Sequence, residues 1–193
     1  MKPSSIVRTF CALAIAALIF TGCEDPYGPD DWVAIPDTVD LFSLGRPEYH
    51  GLPSAYDLLS GFHGQRVAVE TPGSSGNWDF VLTESDGKLY LSPAGIIKDL
   101  GLGSGIAPLP GETFESVTKV PGAAARYQDT TSVALEEGVV YAVRSRRYYG
   151  LVGESCVLYG KLAPIDIDHA AGVLRFEIIR NPNCNDRSMI PPK

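Results

Sequence analysis

Four cysteines and three histidines carry most of the reactive chemistry available to this 193-residue chain. Cys156 and Cys184 stand far from any CxxC spacing or run of histidines that would indicate a metal site. Cys23 closes the tetrapeptide Phe20-Thr21-Gly22-Cys23, behind the apolar run 10–20. The sequence therefore points to thiol chemistry at two places, the pair Cys156 and Cys184 and the single residue Cys23.

The tetrapeptide that ends at Cys23 resembles a bacterial lipobox, the signal at which a lipoprotein precursor is cut before a cysteine that carries diacylglycerol. The run 10–20 follows Lys2 and Arg8, and it is well short of the roughly 20 residues that cross hydrocarbon as a helix. A positive start, a short apolar centre and small residues before the cut are typical of a signal peptide. We therefore expect removal of residues 1–22 and lipid attachment at Cys23. A plain secretory signal and a retained anchor are the alternatives.

Lipidation predicts an exported protein that its acyl chains hold at a membrane. The acidic, turn-rich segment 23–31 suits a tether, and residues 32–193 suit a single domain with a sizeable core. Signal removal takes two of the 16 basic residues and none of the 23 acidic ones, so the net charge goes from −7 to −9. So acidic a chain is a poor nucleic-acid binder. We expect a protein of the bacterial cell envelope, on the outer membrane, whose partners are the membrane and a small ligand or envelope protein.

Cys156 and Cys184 are the two thiols left after signal removal and lipidation. In an oxidising compartment, two thiols most simply form a disulfide. If residues 168–172 are the tip of an antiparallel hairpin, the two cysteines lie at equal distances on either side of it and come opposite each other. Free buried thiols and a catalytic cysteine partnered by His169 are the alternatives.

Short β-branched and aromatic runs, separated by Gly, Pro, Asp and Asn, predict strands along the chain beyond the tether. The candidate strands are 66–71, 78–83, 88–92, 114–120, 132–135, 139–146, 156–168 and 173–180, and the candidate helices are 53–59 and 94–100. In the last strand Leu174, Phe176 and Ile178 share one face, as in an antiparallel sheet with one buried side. We expect a single all-β domain, a sandwich or a curled sheet, with one or two short helices.

Glycine marks three predicted turns, at 85–87, 136–138 and 168–172. Each contains a Gly that can supply the positive φ that tight turns require. The third turn would join the two longest strands into the hairpin that carries the disulfide.

Sequence signatures of enzymes are weak in this chain. Residues 101–105 are glycine-rich but lack GxGxxG spacing and a long helix after them, so we interpret them as a loop. Residues 74–76 do not complete a Gly-x-Ser-x-Gly motif. Asp166 and Asp168 alternate along a strand and could bind calcium, although two solvated acids at a strand end explain them as well. The sequence favours a protein that is not an enzyme.

Arg144, Arg146 and Arg147, with Tyr148 and Tyr149, form the one basic-aromatic cluster of the sequence. An arginine presents a planar fork to carboxylates and phosphates, so the cluster could bind an anionic ligand or partner. A solvated strand face that runs into a loop is the alternative interpretation.

Three segments together resemble the HmuY-like family of bacterial haem-binding lipoproteins. They are Trp78-Asp79-Phe80, Val140-Tyr141-Ala142-Val143-Arg144, and Tyr159-Gly160-Lys161-Leu162 followed by Val173-Leu174-Arg175-Phe176. The resemblance implies a sheet-rich fold outside the cytoplasm, and it makes haem a cofactor to test. No histidine or methionine aligns with the family's haem ligands, so no ligand is assigned. The haem ligands by residue type alone are His50, His63, His169 and Met189.

Together these observations predict a lipid-anchored, non-enzymatic envelope protein that binds a ligand or partner. The alternatives are a structural or assembly role at the outer membrane without a small ligand, and a hydrolase that the sequence does not reveal. A deep pocket with convergent polar groups favours binding or catalysis, and a flat charged surface favours a structural role.

Overall fold

A computed structural model describes residues 31–61, 63–70, 77–97, 103–150 and 153–192. The predicted signal peptide, Cys23 and most of the tether lie outside these residues, as does the stretch 74–76. The described strands are β1 Asp37–Phe42, β2 Ala55–Asp57, β3 Gln65–Val67, β4 Phe80–Ser85, β5 Lys88–Pro93, β6 Gly105–Leu109, β7 Val133–Ala134, β8 Val140–Arg144, β9 Tyr148–Tyr149, β10 Ser155–Cys156, β11 Tyr159–Asp168 and β12 Val173–Asn181. The helical segments are α1, Ala94–Ile97, and two 3-10 turns, Pro47–Tyr49 and Ala124–Arg126.

The strands form two five-stranded antiparallel sheets and a two-stranded ribbon of β9 and β10. The first sheet has the order β1-β12-β11-β8-β6, and the second has the order β3-β2-β4-β5-β7. The expected all-β, antiparallel fold is confirmed, in its sandwich form, because the main core lies between the two sheets. No helix among the described residues has the length and apolar character that a membrane span requires.

The core between the sheets contains the predicted buried face of β12. Leu174, Phe176 and Ile178 are fully buried in it. The Phe176 ring meets the edge of Tyr56 from the second sheet, with 6.0 Å between ring centroids. Burial of such rings removes a large apolar area from water and therefore stabilises the contact between the sheets.

The hairpin of β11 and β12 carries the predicted disulfide. Its register pairs Tyr159 with Asn181 and Gly160 with Arg180, despite a bulge between Pro164 and Asp166. The same register carried three residues beyond Tyr159 brings Cys156 opposite Cys184. The two cysteines are bonded, with 5.1 Å between their Cα atoms. The bond pins the start of the C-terminal segment, residues 184–190, to the sheet.

The three predicted turns are present. Asp86 and Gly87, with φ of 51° and 70°, form the two-residue connection between β4 and β5. The turn at 136–138 joins β7 to β8, so the chain there crosses from one sheet to the other. Gly172, with φ of 72°, ends the turn between β11 and β12.

Two predicted elements are wrong, the helix 53–59 and the strand 114–120. Residues 53–59 contain strand β2 and not a helix, because Ala55 and Tyr56 pair with β3 and β4 and a helix this short is marginal without packing. Of the predicted loop 101–105, residues 103 and 104 lie outside any strand, residues 101–102 lie outside the described residues, and Gly105 begins β6. Residues 114–120 form turns, with one isolated bridge at Lys119, in place of a strand. Of the second predicted helix, 94–100, residues 94–97 form α1, and residues 98–100 lie outside the described residues.

Residues 110–128, here called the covering segment, lie over the outer face of the first sheet. Phe114, Val117 and Val120 recur every three residues and are all buried, together with Val140 and Ile179 of the sheet beneath them. The covering segment thus packs on the first sheet as a third layer would, and its other side faces solvent.

Candidate functional site

An open groove of about 520 Å³ lies along the covering segment, and we call it the basic groove. Its polar lining consists of Glu112, Ser116, Thr118, Lys119, Arg126 and Arg187. Its apolar lining includes Leu109, Val120 and Pro121. Three of its lining side chains are cations and one is an acid, in a chain whose net charge is −7. The charge of the groove lining is therefore opposite in sign to the net charge of the protein.

The C-terminal segment brings Arg187 into the groove. The backbone N–H of Val120 donates to the Arg187 carbonyl at 3.1 Å, and the N–H of Met189 donates to the Thr118 carbonyl at 2.9 Å. Lys119 forms an antiparallel bridge with Ser188 between these two bonds. This short pairing places Arg187 beside the middle of the covering segment.

A glycine makes room for the Arg187 guanidinium. A Cβ placed on Gly122 would lie 2.0 Å from a guanidinium nitrogen of Arg187, a separation that atoms do not tolerate. The guanidinium therefore lies directly against the Gly122 backbone. A side chain at position 122 would push Arg187 out of its present position.

The three cations of the groove have no acidic partner in the part of the chain that the structure describes. No carboxylate among the described residues lies within ion-pair distance of Lys119, Arg126 or Arg187. Elsewhere in the described chain, Arg46 and Arg175 are paired with carboxylates. The groove thus leaves its positive charge available to a ligand.

A buried lysine fixes the inner side of the covering segment. The Lys161 ammonium donates to the carbonyls of Phe114 and Val117, the latter at 3.1 Å, and lies 4.4 Å from the centre of the Phe114 ring. Burial lowers the pKa of Lys161. Hydrogen bonds from a charged donor are among the stronger ones in proteins. Lys161 therefore positions Ser116 and Thr118 from below, and it belongs to one of the segments on which the family resemblance rests.

A polar network fixes the C-terminal segment on the other side. The Asn181 side chain donates to an Asp186 carboxylate oxygen and to the Ser188 carbonyl, each at 2.8 Å. The Ser188 N–H donates to the other Asp186 oxygen at 3.0 Å. With the disulfide at Cys184, these bonds hold the backbone on both sides of Arg187.

The predicted basic-aromatic cluster is divided among separate structural roles. Arg144 is buried, donates to the Gly103 carbonyl at 2.6 Å and lies 5.1 Å from the centre of the Tyr127 ring. Arg146 is engaged by two carboxylates, whereas Arg147 and Tyr149 are exposed. The cluster is neither one ligand surface nor one solvated face, because the fold buries Arg144 and pairs the half-buried Arg146 with carboxylates.

Arg146 joins two acids, Asp57 and Asp79, which we call the buried acid pair. Its guanidinium lies 2.8 Å from Asp57 and 3.2 Å from Asp79. The Asp79 oxygens also accept the N–H groups of Leu58 and Arg146, each at 2.6 Å. Desolvation raises the pKa of Asp79 to about 6, and the charge of Arg146 partly opposes this rise. Two close carboxylates can perform acid–base chemistry, but these are enclosed and occupied by donors, so their role is to connect β2 and β4 with the residues that follow β8.

The predicted calcium pair is better explained as turn structure. Asp168 accepts the N–H of Ala171 at 2.8 Å and so closes the hairpin turn, while Asp166 is exposed next to the bulge. Glu154, Cys156 and Cys184 also lie close enough to hold a metal ion, but the two cysteines are bonded to each other and present no thiolate.

The four haem ligands suggested by residue type are dispersed, and none lines the basic groove. His50 is exposed and lies 3.3 Å from Glu70. The His169 ring accepts the N–H of Leu89 at 3.2 Å, and His63 follows β2. Met189 is 3% exposed and contributes to the core under the covering segment. The structure assigns no haem ligand among them.

Sequence reasoning missed the basic groove because its cations are separated by up to 68 positions, from Lys119 to Arg187. Neither Lys119 nor Arg126 belongs to a charge run. Lys119 lies in a predicted strand, 114–120, and Arg126 lies outside any predicted element, so the sequence carries no signal that joins them.

No known protein family, no curated protein and no solved structure matches this chain. The class of protein is therefore set by its own geometry, an antiparallel β-sandwich with a basic groove on the outer face of one sheet.

Proposed function

We propose that this chain is a lipid-anchored binding protein of the bacterial cell envelope, and that its ligand occupies the basic groove. The observation that carries the proposal is a set of three cations, Lys119, Arg126 and Arg187, that have no ion-pair partner among the described residues and lie along one groove of an acidic protein. Like charges held together without acids repel one another, so an anionic or polar ligand stabilises their arrangement.

The construction of the groove supports binding more than catalysis. Lys161 fixes the covering segment, and the disulfide and Asn181 fix the segment that carries Arg187. A site held in place before the ligand arrives loses less entropy on binding. The buried acid pair, in which the pKa of Asp79 is raised, does not line the groove. It therefore cannot perform acid–base chemistry on a ligand bound there.

Native mass spectrometry tests whether the groove retains a ligand. We expect full-length protein, extracted from its own envelope in an uncharged detergent, to carry a small molecule. Thr118→Trp should lose that molecule, because the indole would fill the groove from an exposed lining position. The control is Ser85→Trp, which adds the same bulk to an exposed position beside the β4–β5 turn of the other sheet.

Two results would contradict the proposal. One is wild-type protein that carries no small molecule under these conditions. The other is a molecule that Thr118→Trp and Ser85→Trp retain equally well, since it would then be bound outside the groove.

Anchoring is tested separately at the lipobox. Cys23→Ser removes the thiol that would carry diacylglycerol, so we expect the precursor to remain uncleaved and longer by 22 residues. Metabolic labelling with a palmitate analogue and electrophoresis of membrane fractions measure both effects. Cleavage at the normal position with unchanged partition into detergent would show that the anchor assignment is wrong. Cys11→Ser, which removes a cysteine outside the tetrapeptide and outside the disulfide, is the control.

A further inference from the structure

We propose that the basic groove selects ligands by a dianionic oxyanion, a phosphate monoester above all, attached to a partly apolar body. The inference rests on the proposed function and specifies its ligand class.

The charge of the groove matches a doubly negative group. Lys119, Arg126 and Arg187 supply three positive charges, and Glu112 is the one acid in the lining. The Glu112 carboxylate accepts the Ser116 hydroxyl at 2.7 Å and so supports the covering segment. The lining thus has an excess of two positive charges, and a phosphate monoester carries roughly −1.5 to −2 charges at neutral pH.

The donor types favour an oxyanion over other acceptors. Arg126 and Arg187 each offer a planar fork of N–H groups, which matches pairs of phosphate or carboxylate oxygens. Lys119 adds a compact charge to the same lining. The Thr118 hydroxyl lines the same groove and makes no hydrogen bond among the described residues. These groups can surround a tetrahedral anion with donors from two chain segments.

The groove is larger than a phosphate group. Its volume of about 520 Å³ lies within the range of sites for organic ligands, roughly 300–1,000 Å³. Leu109, Val120 and Pro121 provide an apolar surface beside the cations. An anionic end with an apolar body fits both parts of the lining, and free phosphate fits only one.

Calorimetry with small probes tests this inference on the full-length protein in an uncharged detergent. We expect phenyl phosphate to bind, benzoate to bind more weakly because it carries one charge, and phenol to show no binding. Arg126→Gln and Arg187→Gln should each raise the Kd of phenyl phosphate about tenfold or more, since each removes charged hydrogen bonds. Lys88→Gln, which removes an exposed charge on the other sheet, should leave the Kd unchanged.

The source of the phosphate is distinguished by competition. Phosphatidic acid in the detergent micelles should displace phenyl phosphate if a lipid headgroup enters the groove, and should leave it bound if the site accepts soluble esters only. Phosphatidylcholine is the control lipid. Either result supports phosphate recognition.

Failure of the inference differs from failure of the proposed function. Phenol that binds as tightly as phenyl phosphate, or a Lys119→Gln/Arg126→Gln/Arg187→Gln variant that keeps the wild-type Kd, would overturn the inference. So would a native ligand, seen by mass spectrometry, that this triple variant retains while Thr118→Trp loses it; the proposed binding function would then stand. Absence of any native ligand from wild-type protein overturns the function itself.

Discussion

Replacing Arg146 with methionine should lower the free energy of unfolding by about 3–5 kcal/mol at pH 7, the usual cost of breaking a buried ion pair from one side. The reason is that the buried acid pair loses the cation that lies 2.8 Å from Asp57 and 3.2 Å from Asp79. Both carboxylates are almost without solvent contact, so water cannot replace the guanidinium. Urea denaturation followed by tryptophan fluorescence measures the loss.

The effect of Arg146→Met should depend on pH. Burial raises the pKa of Asp79 from 3.8 to about 6 in the wild type, where the charge of Arg146 opposes the rise, so the folded variant without Arg146 takes up a proton at a higher pH than the wild type. Protonation removes one of the uncompensated charges, and the loss should therefore be smaller at pH 5 than at pH 8. A loss of the same size at both values would contradict this assignment.

The control for Arg146→Met is Arg175→Met. Arg175 also makes an ion pair, with Asp40 at 2.7 Å, but its side chain is 55% exposed. Exposed pairs contribute little to stability, because water solvates the separated charges. We therefore expect Arg175→Met to leave the unfolding midpoint nearly unchanged. An equal loss in the two variants would mean that burial of the acid pair is not the cause.

Removing the disulfide is the second large effect. Cys156→Ser with Cys184→Ser should cost about 3.5 kcal/mol, the chain-entropy value for a closed loop of about 29 residues. The C-terminal segment, which carries Arg187 and is bonded to Thr118 and Val120, should loosen first. Amide hydrogen exchange should therefore rise at 184–190 more than in the centre of β12.

Reductant provides the matched control for the disulfide. Dithiothreitol should lower the unfolding midpoint of the wild-type protein toward that of the double variant, and should not change the double variant. Wild-type protein that is indifferent to reductant, or a double variant as stable as the wild type, would show that the bond does not stabilise the fold.

The parts of the fold that sequence predicted best are those set by local signals. The alternation of Leu174, Phe176 and Ile178 fixes which face of β12 is buried, and the turn at 168–172 fixes its pairing with β11. Cys156 and Cys184 follow from that register. In such a hairpin, side-chain period and turn position leave few alternative pairings.

Other parts depend on contacts between distant segments. Residues 114–120 have strand composition, but Phe114, Val117 and Val120 are spaced by three and cover the outer face of the first sheet. Ala55 and Tyr56 form a strand because β3 and β4 lie on either side. The basic groove forms only when the C-terminal segment pairs with the covering segment, so no local sequence pattern predicts it.

Photocrosslinking at Thr118 tests most directly the central claim, that the groove binds a ligand in intact cells. Benzoylphenylalanine placed at this exposed lining position, and at Ser85 as control, is irradiated in intact cells, and the mass of the purified protein is measured. We expect a small-molecule adduct at position 118 and none at position 85. A protein adduct at 118 would instead indicate an assembly role, and equal labelling at both positions, or none, would contradict the proposed site.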